Sequence, residues 1–138
     1  MMAKKGRKRL IFVSKKKSAV ARAIIKEGSG KVTINKRDLK TIEPKYVRVF
    51  IEEPLMLAGD IAKRYDISVR ATGGGAMAQA VCARSAIAKA LVKFSKDKGL
   101  EKKFKQYDRL LLVDDPRKKE SKKPLGKGAR KKRQKTKR

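Results

Sequence analysis

Between positions 10 and 116 the apolar residues recur first at every second position and then at every third or fourth, and the switch marks out the elements. Leu10 to Val13 is a short apolar run that predicts a strand. The stretch SAVARAIIKEG (18–28) alternates. Val20, Arg22 and Ile24 point one way, and Ala19, Ala21, Ala23 and Ile25 the other. GSG (28–30) interrupts the pattern, and KVTINK resumes it through Val32 and Ile34. Two alternating runs around a three-residue glycine turn predict a β-hairpin.

PKYVRVFIEEP (44–54) has the composition of a strand, but Pro44 at its first position and Glu52 and Glu53 near its end also allow a short helix, the reading preferred. Pro54 suits the first turn of another, with Leu57, Ile61 and Tyr65 on one face at four-residue steps. ISVRAT (67–72) returns to alternation and predicts a strand whose inner residues are Ile67, Val69 and Ala71. Residues 76–94 give the strongest signal: Ala80, Ala83, Ile87, Leu91 and Phe94 fall on one helical face, with Met77 and Ala88 beside them. The abundance of alanine lets such a helix approach a sheet closely. After Gly99, LEKKFKQY (100–107) predicts a shorter amphipathic helix, and LLLVDDP (110–116) closes the patterned region, with Pro116 as its exit. The order of elements predicts an α+β protein, with helices on one face of a mixed sheet. It divides the chain into a basic arm (1–9), a globular domain (10–116) and a basic tail (117–138) too poor in apolar residues to fold alone.

Charge changes the picture from fold to partner. The chain carries 41 Lys and Arg against 13 Asp and Glu, a net charge of +28. Lys4, Lys5, Arg7, Lys8, Arg9 and Lys15 to Lys17 crowd the first 17 residues without an acid, and ten more cations crowd residues 121–138, again without an acid. A polyanion is the expected partner. Lys4 to Arg9 also reads as a nuclear-localisation run. No apolar run is long enough for a membrane span, and no apolar core follows the basic start as a signal peptide requires. One cysteine, Cys82, fits a reducing compartment and reads as a small packing residue within the long helix.

The chemistry that the motifs offer is sparse. Gly73, Gly75 and Ala78 in ATGGGAMAQA (71–80) fit the G-x-G-x-x-G/A turn of dinucleotide-binding folds, between a predicted strand and a predicted helix. A ribose-binding acid should then end the next strand, yet the nearest, Asp97, precedes more basic helix. A phosphate-binding loop at Gly30-Lys31 fails, because Ile25 stands at its first glycine and Val32 at its hydroxyl position. With no histidine and no metal-ligand spacing, neither an enzyme nor a cofactor or metal is expected, and Asp114-Asp115 reads as a loop end. Nucleic-acid binding is supported positively. In the tail, Gly126, Gly128 and Ala129 lie among the charges and let backbone run close to phosphate, while no aromatic follows Tyr107 to stack on bases. A free-standing nucleic-acid chaperone or chromatin-like protein is the rival reading.

GGGAMAQAVCARSAIAKAL (73–91) resembles the signature of the ninth small-subunit ribosomal protein, a universal family, through its three glycines, Gln79, Arg84 and the Ala-Lys-Ala-Leu ending. KKKSAVARA (15–23) resembles that family's opening strand. YDRLLLVDDPRKKESKK (107–123) and GKGARKKRQKTKR (126–138) resemble its archaeal and cytosolic eukaryotic branch. Ala78, Cys82 and the Thr136-Lys137-Arg138 ending depart in detail, the last keeping its charge. The resemblance implies a two-layer α/β sandwich of the ribosomal domain-two-like kind, with a left-handed βαβ crossover and disordered basic arms. It also implies a cytoplasmic site in the head of the small subunit, against the 3′ major domain of ribosomal RNA and neighbouring head proteins. Lys15, Lys16, Lys17, Arg22, Arg70, Gly73, Gly74, Gly75, Gln79 and Arg84 would bind that RNA from the domain. Lys122, Lys123, Lys127, Arg130, Lys131, Lys132 and Arg133 would do so from the tail. Gln134, Lys135, Thr136, Lys137 and Arg138 would touch the anticodon stem-loop of peptidyl-site tRNA. Fully extended, residues 121–138 reach roughly 60 Å, enough to thread through folded RNA.

Overall fold

The computed structural model describes residues 10–137. Strand β1 (Ile11–Lys16) turns through Lys17 and Ser18 into β2 (Ala19–Glu27), with Lys16 opposite Ala19. β3 (Val32–Ile34) and the two-residue β4 (Arg37–Asp38) form a second hairpin, whose turn residues Asn35 and Lys36 take φ of 50° and 68°. Helix α1 (Lys45–Ala58) follows, then a 3-10 segment (Gly59–Arg64) and β5 (Tyr65–Thr72). Helices α2 (Ala76–Ser95) and α3 (Lys98–Tyr107) come next, with a 3-10 turn at Arg109–Leu111. The five strands make one sheet in the order β1-β2-β5-β3-β4. β3 and β5 run parallel and every other pair antiparallel, so β3–α1–β5 is a βαβ crossover.

The architecture is the expected α+β sandwich of a sheet and a helical layer. Ala19, Ala21, Ala23 and Ile25 of β2 and Ile67, Val69 and Ala71 of β5 are buried toward the helices, as their alternation predicts. Their small side chains bring α2 close against β1, β2 and β5. On α2 the burial exceeds one face: Cys82 to Ala88 form an unbroken buried run. The sheet covers one side of this helix, while α1, α3 and the 3-10 turn at Arg109–Leu111 cover the other. Phe94 packs edge-on against Tyr65, with ring centroids 5.1 Å apart.

Two sequence expectations fail. Residues 28–30 do not turn a hairpin, because β5 occupies the slot between β2 and β3. The loop instead wraps the start of β5. Gly28 N–H donates to the Arg64 carbonyl (3.0 Å), Ile67 N–H donates to the Lys31 carbonyl (2.9 Å), and the Asp66 carboxylate accepts from the N–H groups of Ser29 and Lys31 (2.9 Å each). Alternation reports which face a residue takes, not which strand lies beside it, and here the loop spans two strand spacings, about 10 Å. Pro54 does not open a helix either: it is buried within α1, which runs on to Ala58 and stops at Gly59, where φ is 57°. The regular spacing of Leu57, Ile61 and Tyr65 thus crosses three different elements.

Candidate nucleic-acid interface

The β1–β2 turn and the glycine turn meet at one end of the sheet. Gly73 and Gly74 take φ of 77° and 62°, and a Cβ on Gly73 would lie 2.3 Å from the Ser18 carbonyl oxygen. Only glycine allows this reversal and this closeness. Gln79 locks the turn from within α2 by donating from Nε2 to the Gly73 carbonyl (3.1 Å). Gly75 then caps α2 with no side-chain hydrogen bond, and residues 72–77 are all exposed. The first N–H groups of a 20-residue helix therefore face solvent at its positive end.

Lys15, Lys16 and Lys17 lie at the tip of the neighbouring hairpin, and Arg22 pairs directly with Arg70 across β2 and β5. Both arginines point from the sheet face opposite the helices, and both are exposed. Among the described residues no carboxylate lies within salt-bridge distance of either. Two like charges about 5 Å apart at a cross-strand pair destabilise the sheet unless an anion sits between them. The fold thus brings together Lys15 to Lys17, Arg22, Arg70, Gly73 to Gly75 and Gln79.

Arg84 does not join them. Its side chain is only 8% exposed and is engaged inside the fold. It pairs with Glu53 (2.6 Å) and Asp108 (3.0 Å), and its guanidinium lies 4.5 Å from the ring centre of Phe50. The Glu53 contact is an ion pair through Nη2, and Arg84 Nε is buried without a hydrogen-bond partner among the described residues. Signature residue though it is, Arg84 ties α2 to α1 and to the end of α3, and it is left out of the interface.

The acids weighed for chemistry are also structural. Asp97 caps α3 by accepting from Gly99 N–H (2.8 Å). Asp114 accepts from Ser14 Oγ (2.9 Å) and Lys89 Nζ (2.5 Å), holding the exit of the chain against β1 and α2. Partial burial acts to raise its pKa, but the Lys89 and Ser14 hydrogen bonds outweigh this and hold it below the ordinary value. Asp115 falls further, to about 2, chiefly through hydrogen bonds from the Arg117 side chain and backbone. Cys82 is buried with its thiol 3.5 Å from the Ala19 carbonyl, and burial pushes its pKa up, so it packs and does not react.

In the tail Lys122, Lys123, Lys127, Arg130, Lys131, Lys132 and Arg133 are exposed, as are Gln134 to Lys137. The tail is not extended throughout. Gly126 bridges back to Lys132, Gly128 N–H donates to the Lys131 carbonyl (3.3 Å), and Arg130 pairs with Glu120 (3.2 Å). The glycines expected to admit phosphate also admit a tight turn, which shortens the tail's reach. Arg138 and the basic arm 1–9 lie outside the described residues. At the far end of α2, three exposed lysines that sequence reasoning passed over, Lys93, Lys96 and Lys98, gather at the start of α3.

A sheet with one helical layer, a glycine turn against a basic hairpin tip and a cationic tail define a small, strongly basic α+β protein. The family model for ribosomal protein S9/S16 matches residues 14–138. The small ribosomal subunit protein uS9 of Methanococcus maripaludis strain S2 is 45% identical over 126 residues, 90% of this chain and 94% of the relative. The same protein from strain C7 of that organism matches to the same extent. The chain belongs to the ribosomal protein S9/S16 family. Membership makes it a structural constituent of the small ribosomal subunit and not an enzyme. Among the described residues no helix is long and apolar enough to cross a membrane, and no three His, Cys, Asp or Glu side chains group as metal ligands.

Proposed function

We propose that the chain binds small-subunit ribosomal RNA in the head of the cytoplasmic subunit, within the 3′ major domain and beside other head proteins, and that its tail reaches peptidyl-site tRNA. The observation that carries the RNA reading is the Arg22–Arg70 pair, exposed and without an acid, beside the glycine turn. A phosphate between the two guanidiniums removes their repulsion and gains two charge-assisted contacts. A second phosphate suits the uncapped start of α2, where Gly73 to Gly75 let an RNA strand approach the backbone. Lys15 to Lys17 lie on the adjoining hairpin, and Gln79 lies beside the glycine turn.

Contacts of this kind position the protein without reading sequence, so specificity comes from the shape of the folded RNA. From Lys122 to Arg133 the tail continues along ribosomal RNA. Gln134, Lys135, Thr136, Lys137 and Arg138 supply the contacts to the anticodon stem-loop, with Lys137 and Arg138 on its phosphates. Family membership and the terminal run of cations support this role. The RNA reading is tested by titrating the full chain against a transcript of the 3′ major domain over a range of salt. The Arg22→Gln/Arg70→Gln variant should bind more weakly, with a salt slope shallower by about 1.5. An unchanged slope and affinity would exclude the pair as an RNA contact.

A further inference from the structure

We infer that the protein carries a second binding site for RNA backbone where α2 ends and α3 begins, so that it bridges two RNA segments. This rests on the RNA reading above and adds a place to it. Lys93, Lys96 and Lys98 rim a groove floored by Val92, Leu112 and Val113. All three lysines are exposed, and among the described residues none has a carboxylate within salt-bridge distance. Two acids also line the groove, and each has a nearer partner: Asp97 caps α3, and Glu101 pairs with Lys105 at 2.6 Å.

Stability of the fold accounts for only one of these lysines. The negative end of the α2 dipole welcomes a cation at Lys93. Lys98, however, is the first residue of α3, at the positive end of that helix, where a cation is disfavoured. Lys96 caps α2 at φ 55°, a left-handed position that glycine or asparagine fills with less strain. Two local rules are broken within three residues, each time by a lysine, as happens where binding rather than folding has set the residue. A cationic rim over an apolar floor suits a sugar–phosphate backbone, with phosphates at the lysines and riboses over the valines. A 20-residue helix is about 30 Å long, so this groove and the glycine turn at the other end of α2 engage RNA segments that far apart.

The test is hydroxyl-radical footprinting of the full chain on the 3′ major domain transcript, with the salt dependence of binding measured in parallel. Lys93→Gln/Lys96→Asn/Lys98→Gln should lose one protected RNA segment and keep the other. Its salt slope should become shallower by about 2. Arg22→Gln/Arg70→Gln should lose the segment that the lysine variant keeps. Lys93→Arg/Lys98→Arg should keep protection, and the lysine variant should melt no lower than the parent by circular dichroism, since Lys96→Asn and Lys98→Gln relieve local strain and an unfavourable charge. A lysine variant with the parent footprint and slope overturns the inference while leaving the RNA reading intact. Loss of a contact to a neighbouring head protein, with the RNA footprint unchanged, overturns it in favour of a protein partner. Absence of any footprint for the parent chain overturns both.

Discussion

At Gly73 the backbone stands at φ 77° and the place of a Cβ lies 2.3 Å from the Ser18 carbonyl oxygen, whereas at Gly75 a Cβ would meet open space. The two glycines separate folding from binding. Gly73→Ala should destabilise the protein by more than about 1 kcal/mol in denaturant titration, because both strain and a backbone clash follow. Gly75→Ala should fold within about 1 kcal/mol of the parent yet bind the ribosomal RNA transcript more weakly, since its methyl group stands where a phosphate approaches. Arg84 and the Arg22–Arg70 pair make the same separation among cations. Arg84→Met strands the Glu53 and Asp108 carboxylates and should cost about 3 kcal/mol of stability. In the sequence these arginines look alike. Arg84 matched a family signature, but its acidic partners lie 31 positions before it and 24 after, on elements that only the fold brings together. The glycine turn was legible because strand, glycines and helix are contiguous. The charge surplus was legible because it needs only counting.

Elements that stand on local periodicity were read correctly: β2, β5, α2 and α3 fall where their apolar spacing puts them. Those that depend on distant pairing were not. The insertion of β5 between β2 and β3 is held by Asp66 and by the loop around it, and no residue within 18–34 reveals it. The same holds for residues 112–116, where Asp114 fastens the chain to β1 and α2 through Ser14 and Lys89. Asp114→Asn should lower the melting temperature by about 4 °C at neutral pH, the scale of one charge-assisted hydrogen bond. Its pKa is lower in the folded state than the ordinary 3.8, so its contribution is complete above that value and fades as pH falls toward the folded pKa. Melting curves of parent and variant should therefore differ at pH 6 and converge as pH falls below 3.8 toward the folded pKa. A difference that persists in acid would mean that the carboxylate charge is not what holds the segment.

Taken whole, the molecule is a compact sandwich with cationic surfaces at both ends of α2 and a tail that continues the charge beyond the domain. A net charge of +28 on 138 residues opposes compactness in isolation, and a polyanionic partner would relieve it. The tail's turn at Gly126–Lys132 has no apolar core to hold it. The central claim is a division of labour: the domain and the proximal tail dock on ribosomal RNA, and the last five residues serve tRNA. Its most direct test is peptidyl-site tRNA affinity in small subunits assembled with the full chain or with a chain lacking Gln134–Arg138. The truncated chain should sediment with the subunit as the full chain does, while tRNA binds several-fold more weakly. Unchanged tRNA affinity in subunits that contain the truncated chain would contradict the role given to the tail.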